Sequence, residues 1–473
     1  MYSKSPKPPA QFSDFMAKDK VVIVGSGTFG LSTAVALQKR GYAVTVLDRC
    51  QIPAEDGAST DISKVIRADY GEDIHYQNLG MQAINEWLKW HQDSMERYNI
   101  PLFDQCGALF LSDSLDTHST STIRNFTKAG YGDTIEVITN ENKDQFVTRY
   151  PGVASAFAHL QGGYLSKRAG WAYAASAMSY LLGKAKELGV VFHEGISGTF
   201  SSFIEENGTT VGVITRDEIQ HFGRIIVTAG SWTPSILPEV SDMGVVASGQ
   251  AVIHLRVPEH LREKYMSKNF PVWLTNIAQD VVDFVDMSGF YGFPVNEEGI
   301  MKIAHHGPGY TNLLKPPYSH TTTSVSIPQT SVTHPTQTIP LSSVTMFRAF
   351  LQKYLPELNT FDIVNTRLCW YTDSFDGNFL VDYIPTRPGV MVATAGSGHA
   401  FKFTPVLGDV IADIFERNAA SAVYRDVFRW RTAKKAGVEL QGEEGRVVKA
   451  ARGREELQAH RMARRDELLA GKL

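Results

Sequence analysis

The chain has 473 residues, of which 43% are hydrophobic and 20% charged, with a formal net charge of −4. That length allows two or more hydrophobic cores, and the near-balance of charge removes nucleic acid as an expected partner. The three scattered cysteines, Cys50, Cys106 and Cys369, exclude a disulfide framework and a CxxC metal site, so no metal is expected. No run is apolar enough for a transmembrane helix, no membrane partner is expected, and MYSKSPKPPAQFSDF lacks the apolar centre of a secretory signal.

Residues 1–19 read as a polar lead-in. Val21, Val22, Ile23 and Val24 then make a β-branched run. Gly25, Gly27 and Gly30 follow at G-x-G-x-x-G spacing, with Ser26, Thr28 and Phe29 between them. Gly25 permits a tight turn, Gly27 lets the backbone approach a pyrophosphate, and Gly30 lets the following helix pack on the sheet. The helix N-terminus offers N–H groups and a positive dipole end to phosphates. Val44, Val46 and Leu47 form the next strand, which ends at Asp48, where a carboxylate can bind a ribose hydroxyl, and Arg49. Strand, turn, helix, strand and acid together predict a dinucleotide-binding βαβ unit.

A helix is predicted near 76–97, with Leu79, Met81, Ile84, Trp87, Leu88 and Trp90 as its apolar positions. GALFLSDS reads as a strand at 107–114, GGYLSKRAGW as a glycine-rich loop, and about 172–188 as a helix ended by Gly189. A short strand at 190–192 carries Val191. Ile225, Ile226 and Val227 form a buried strand that runs into Ala229, Gly230 and Trp232, a turn at a strand's carboxyl end where open α/β sheets bind ligands. Residues 245–306 read as consecutive antiparallel strands. Residues 308–343 are rich in Pro, Ser and Thr, a surface loop or a linker returning the chain to its first domain. A helix follows at about 344–356. GVMVATAGSGHAFKFTPVLGDVIADIFE is strand, glycine turn and helix, with Thr404 as N-cap and Pro405 at the first helical position. From 434 onward the sequence is rich in Arg, Lys and Glu and reads as a solvated helix or disorder. Gly471, Lys472 and Leu473 approach the peroxisomal Ser-Lys-Leu address but miss its first position, so a peroxisomal or a cytoplasmic location is expected.

The expected fold is α/β (α+β overall). A Rossmann-like nucleotide domain is discontinuous over 20–75, 160–235 and 345–430. An inserted antiparallel-sheet substrate domain covers 76–159 and 236–344, and 1–19 and 434–473 are tails.

Four further segments, RLCWYTDSFDGNFLVDYIP, FYGFPVNEEGIMKIAHHG, DISKVIRADYGED and SGHAFKFTP, resemble the sarcosine oxidase family of FAD-dependent amine oxidases, which includes saccharopine, pipecolate and fructosyl-amine oxidases. The resemblance runs from residue 20 to about 430. It implies FAD as cofactor, a small-molecule amine and O2 as partners, hydrogen peroxide as product, and a monomer. It makes Cys369 the residue bonded to the flavin, a task that needs a reachable thiolate. It makes Tyr291 an aromatic substrate contact, Lys302 a flavin-face lysine and His306 an active-site histidine. Strand alternation puts Lys302, Ala304 and His306 on one face and His305 on the other. A fixed ammonium at Lys302 would stabilise the superoxide-like charge of oxygen reduction. An amine must lose its proton before giving up hydride, and His306 is placed to position it. Arg67 and Lys402 match the clamp on the substrate carboxylate. Lys64 stands where sarcosine oxidases carry arginine and the fructosyl-amine and saccharopine-type branches carry lysine. Ser63, Lys64, Gly398, Phe401 and Lys402 complete the implied cofactor shell with the fingerprint residues, Asp48, Arg49, Val191, Ala229, Gly230 and Trp232. One departure is His306, where fructosyl-amine oxidases tend to have glutamate; HHGPGYTN and the FRWR segment at 428–431 are more similar to the fungal saccharopine/pipecolate type. The reaction implied is hydride transfer from a secondary amine to flavin N5, giving an imine. A fructosyl amino acid oxidase or a specialised-metabolite oxidase of the same family, an NAD(P)-dependent dehydrogenase and a catalytically silent flavin-binding sensor are the rival readings.

Overall fold

The computed structural model describes residues 18–160, 162–276, 281–282, 285–286, 288–317, 324–431 and 454–472. Strand β1 (Lys18–Val24), helix α1 (Thr28–Lys39) and β2 (Tyr42–Asp48) form the expected opening unit. Next come β3 (Lys64–Ile66), the long helix α2 (Ile74–Tyr98), β4 (Ala108–Ser112), β5 (Gly162–Ser166), α3 (Ala174–Glu187), β6 (Val191–Glu194) and β7 (Arg224–Val227). They are followed by β8 (Val246–Arg256), β9 (Val272–Asn276), β10 (Phe290–Gly292) and β11 (Ile300–His305). Helix α4 (Leu341–Tyr354), β12 (Ile363–Asp373), β13 (Leu380–Tyr383), β14 (Val390–Thr394) and α5 (Thr404–Phe415) complete the principal elements.

The first sheet has the order β13-β14-β7-β1-β2-β6. Its strands are parallel except β13, which adds antiparallel at the edge. The continuous apolar run Val21–Val24 is buried on both faces, as a central parallel strand requires. Helices α1 and α5 cross closely over it, because a side chain at Gly408 would overlap the carbonyl of Ser32. Thr404 lies inside α5 rather than capping it: Phe403 occupies the cap, and the Thr404 hydroxyl donates to the Phe401 carbonyl at 2.5 Å.

The second sheet contains β12-β8-β11-β10-β9-β4-β5 in spatial order. These seven strands pair antiparallel except for β9 and β4, which are parallel. One face packs on α4, where Phe350 stacks on Phe290 at 4.0 Å and on Trp273 at 5.8 Å between ring centroids. The other face looks toward the carboxyl edge of the first sheet and carries the site.

The elements are shared between the two cores differently from the expected division. Helix α2, expected with the substrate domain, buries Leu79, Ile84 and Trp87 in the core of the first sheet, and the Trp87 indole N–H donates to the Lys402 carbonyl at 2.7 Å. Strand β5, helix α4 and strand β12, expected with the nucleotide domain, belong to the second sheet and its core. The segment after 308 therefore leads into the second core and not back to the first; residues 318–323 of it lie outside the described residues. Residues 454–472 are not a loose tail. Leu457, Ala463 and Leu468 are buried in the second core, and Arg348 donates to the carbonyls of Asn359, Phe361 and Leu468 at 2.9 Å each. Residues 1–17 and 432–453 of the expected tails lie outside the described residues.

Among the described residues no helix is long and apolar enough to cross a membrane, and no cluster of three metal-ligating side chains is present. Replacing Arg348 by Met leaves three buried carbonyls without their donor, a loss of about 2–4 kcal/mol by the usual penalty for unsatisfied groups. The expected result is a lowered melting temperature with proteolysis starting within 454–472. Unchanged melting and unchanged protease resistance would contradict this anchoring role.

Candidate active site

The carboxyl edge of the first sheet is built for close backbone approach. Gly25 has φ +107, and a side chain there would meet the Thr228 carbonyl at 2.7 Å. A side chain at Gly30 would overlap the Gly25 carbonyl. At Gly27 the protein leaves room, since a Cβ would find only Ser59 Oγ, at 3.6 Å. Small size at Gly25 and Gly30 thus serves the fold, whereas at Gly27 it keeps a space open. Thr228, the first residue of the turn that ends β7, locks the glycine turn by donating its hydroxyl to the Gly25 carbonyl at 2.8 Å. Asp48 ends β2 as expected, and it also ties the turn: its Oδ2 accepts from Ser26 N at 2.9 Å and from Ser26 Oγ at 2.6 Å. Thr28 and Phe29 are buried at the start of α1. Arg49 donates to both oxygens of Asp56 at 2.7 Å, and its guanidinium lies 4.4 Å from the Trp232 ring, just beyond Ala229 and Gly230. Val191 is not brought to this edge. It opens β6 at 51% exposure, three residues before Glu194, which pairs with Asp48.

Facing this edge, strands β8, β11 and β12 present a charged cluster. Lys302 on β11 donates to Asp61 Oδ2 at 2.5 Å and to the Ser63 carbonyl at 2.8 Å. The Lys302 and Asp61 side chains are 1% and 2% exposed. Lys64 Nζ reaches the same Asp61 oxygen at 3.2 Å and lies 3.6 Å from Cys369 Sγ on β12. Burial alone would neutralise Asp61, but the two ammonium groups and Arg367 outweigh it and hold the carboxyl well below its usual range. Burial lowers Lys302 to about 8 despite the pull of Asp61. Burial also opposes charge on Lys64, yet Cys369 and Asp61 raise it. His254, directly across from Lys302 in the ladder, is pushed down by burial to about 4 and is neutral at pH 7. Asp61 was not singled out from sequence. Its spacing of three from Lys64 was the available signal, but the partner that makes it matter, Lys302, is distant in the chain.

Beyond Lys302 on the same face, the Tyr291 and Tyr371 hydroxyls are 3.2 Å apart. Burial raises both phenols, Tyr291 to about 12. His306 follows β11 with its ring 5.6 Å from that of Tyr371, while His305 turns away, packing on Phe290 at 4.6 Å. Gly398, at φ +72, fits between these rings: a Cβ there would be 2.6 Å from Tyr371 and 2.8 Å from His306.

A second cationic pair surrounds Tyr70. Lys402 donates to the Tyr70 hydroxyl at 3.0 Å and to the His399 carbonyl at 2.7 Å. The Tyr70 hydroxyl lies 3.0 Å from His399 Nδ1, whose Nε2 is 2.9 Å from the Gly377 carbonyl. Arg67 stacks near the rings of Tyr70 and Phe110, at 5.2 and 5.7 Å, and donates to the Asp69 carbonyl. Phe401 stacks on Trp87 at 5.7 Å and fixes the turn that presents Lys402. Tyr70 and His399 were also missed from sequence, although they orient both halves of this pair. Asp69 is wholly buried beside Arg67, and burial pushes its carboxyl up to about 6.

Residues 20–414 match a family model described as FAD dependent oxidoreductase. The chain belongs to that family. It is 29% identical over 432 residues to L-saccharopine oxidase of Schizosaccharomyces pombe, covering 88% of this chain and 94% of that one. It is 24% identical over 402 residues to N-methyl-L-tryptophan oxidase of Salmonella dublin, covering 84% and 94%. Among solved structures, the modified fructosyl peptide oxidase from Aspergillus nidulans superimposes with a TM-score of 0.78 at 26% identity, covering 94% of this chain and 99% of that chain.

The residues of this FAD-dependent oxidoreductase fit its cofactor. The glycine turn leaves open the space beside Gly27. Ser63 Oγ and His254 Nε2 are buried next to the Lys302–Asp61 pair and find no hydrogen-bond partner among the described residues, a partner that a polar group of a bound ligand would supply. Gly30→Ala is expected to spoil the turn before any catalytic group is touched. The purified variant should lose most of its FAD absorbance, whereas Gly27→Ala should fold normally and bind FAD weakly. Full flavin occupancy in both variants would contradict this division.

Proposed function

We propose that this FAD-dependent oxidoreductase oxidises a secondary amine that carries a carboxylate, holds its FAD covalently through Cys369, and delivers the electrons to O2 as hydrogen peroxide. The observation that carries the reading is the arrangement of four cationic side chains in two pairs. Arg67 and Lys402 flank Tyr70, and Lys64 and Lys302 share Asp61 beside the Cys369 thiol. L-Saccharopine, N-methyl-L-tryptophan and fructosyl amino acids are all secondary amines bearing a carboxylate, which supports the same substrate class here. The flavin, when bound, takes a hydride equivalent from the carbon next to the amine nitrogen and passes two electrons to oxygen.

The chain's own residues do the rest. Arg67 offers a planar fork of N–H donors matched to a carboxylate, and Lys402 adds a second charge held in place by Tyr70 and His399. With their raised pKa values, Tyr291 and Tyr371 stay protonated at working pH. They serve as neutral hydrogen-bonding partners of the amine and not as bases. His306, packed on Tyr371, positions the amine and favours its neutral form, the form able to release hydride. Lys302, desolvated and charged through Asp61, stabilises the negative charge that develops as oxygen is reduced. Lys64 Nζ, 3.6 Å from Cys369 Sγ, places an ammonium beside the sulfur that would carry the flavin.

Three outcomes are expected. Acid-precipitated protein should stay yellow, and Cys369→Ser should release its pigment into the supernatant; free pigment from both would refute the tether. Arg67→Met should raise KM for the amine by about a hundredfold, as loss of a charge-assisted bidentate contact of ~2–3 kcal/mol predicts, with a smaller change in kcat. Reoxidation of the reduced enzyme by O2 should slow as pH rises through about 8, where Lys302 loses its proton. Asp61→Asn removes the anion that favours the ammonium, so the decline should move to lower pH. A rapid-mixing profile unmoved by Asp61→Asn would count against this role.

A further inference from the structure

The site face of the second sheet carries one row of side chains in cross-strand register: Tyr164, Phe110, Leu274, Tyr291, Ala304 and Val252. Tyr164, Ala304 and Val252 are buried, whereas Phe110, Leu274 and Tyr291, on three neighbouring strands, are only half-buried. These three are therefore the members of the row that solvent reaches. Strand spacing of about 4.8 Å gives this stretch a width of roughly 10 Å, the size of one large side chain. The wall begins beside Arg67, whose guanidinium is 5.7 Å from the Phe110 ring. It ends at Tyr291, which packs on Cys369 and Tyr371.

Among the described residues the cation that borders this wall is Arg67, at its start. Lys64 and Lys302 are bound to Asp61, and Lys402, held by Tyr70 and His399, joins Arg67 on the same carboxylate. Among the described residues the row itself holds no Lys or Arg.

We propose that the substrate is a monocarboxylate whose remaining bulk is apolar, an aromatic or branched aliphatic group lying on Phe110, Leu274 and Tyr291. This rests on Arg67 as the carboxylate anchor. A second carboxylate would be stripped of water against this wall with no cation to receive it. A polyhydroxyl chain would lose hydrogen bonds to water that Phe110 and Leu274 cannot replace. An apolar group gains from the same burial.

The test uses the intact flavoprotein, anaerobic flavin bleaching and oxygen uptake with five probes: N-methyl-L-phenylalanine, N-methyl-L-leucine, N-methyl-L-glutamate, fructosyl-glycine and sarcosine. The first two should exceed N-methyl-L-glutamate and fructosyl-glycine at least tenfold in kcat/KM. Equal or better turnover of either polar probe overturns the proposal while leaving the amine-oxidase reading intact; bleaching by none overturns both. Phe110→Ala should lower kcat/KM at least tenfold for N-methyl-L-phenylalanine but spare sarcosine, which is too small to reach the wall. An equal loss for both would mean that Phe110 acts only by holding Arg67, and would overturn the assignment. Leu274→Arg should shift the phenylalanine-to-glutamate ratio at least tenfold toward glutamate with the flavin spectrum unchanged, and an unmoved ratio would likewise overturn it.

Discussion

A buried carboxylate shared by two buried ammonium groups is the interaction on which the site depends. Asp61 sits on the loop that leaves the first sheet, and Lys302 sits on a strand of the second. Their contact joins the cofactor-binding half of the molecule to the half that carries the amine-facing residues. Neither lysine would remain charged in such a place alone, because desolvation favours the neutral form. A buried ion pair of this kind adds little net stability once desolvation is counted. Its value lies in what it keeps charged: one ammonium buried between Asp61 and the Ser63 carbonyl, and another beside a thiol.

Two polar clusters are built on different centres. Asp61 gathers Lys64 and Lys302, while Tyr70 gathers Arg67 and Lys402. Between them run Phe110, Leu274 and Tyr291, which offer surface but no charge. On the proposed reading, chemistry and selectivity are carried by different side chains, so one can change without disturbing the other.

Much of this was legible in the sequence, and the limits have physical reasons. The opening fingerprint could be read because a glycine turn, its helix and its closing acid are local. Lys302, Ala304 and His306 could be assigned to one face because strand alternation is fixed by geometry. Asp61, Thr228, Tyr70 and His399 could not, because each acquires its role from a partner far away in the chain. Helix α2 and helix α4 were read correctly as helices but given to the wrong cores, since an amphipathic stripe shows that a face is buried and not against what. The acidic and basic composition of the C-terminal stretch suggested solvation. Three apolar side chains, Leu457, Ala463 and Leu468, were enough to seat its last part on the second core.

The pairing of β12 with β8 has a wider consequence. Cys369, Tyr371 and Arg367 alternate along β12, and all face the site only because Cys369 lies opposite Gln250 and Arg367 opposite Val252. Sliding the strand by one residue would turn all three to the wrong side together. The partners are more than a hundred residues apart in the chain. The Cys369 thiol therefore meets Lys64 only when this one ladder is in register, so the approach of two distant side chains is written into a single strand pairing.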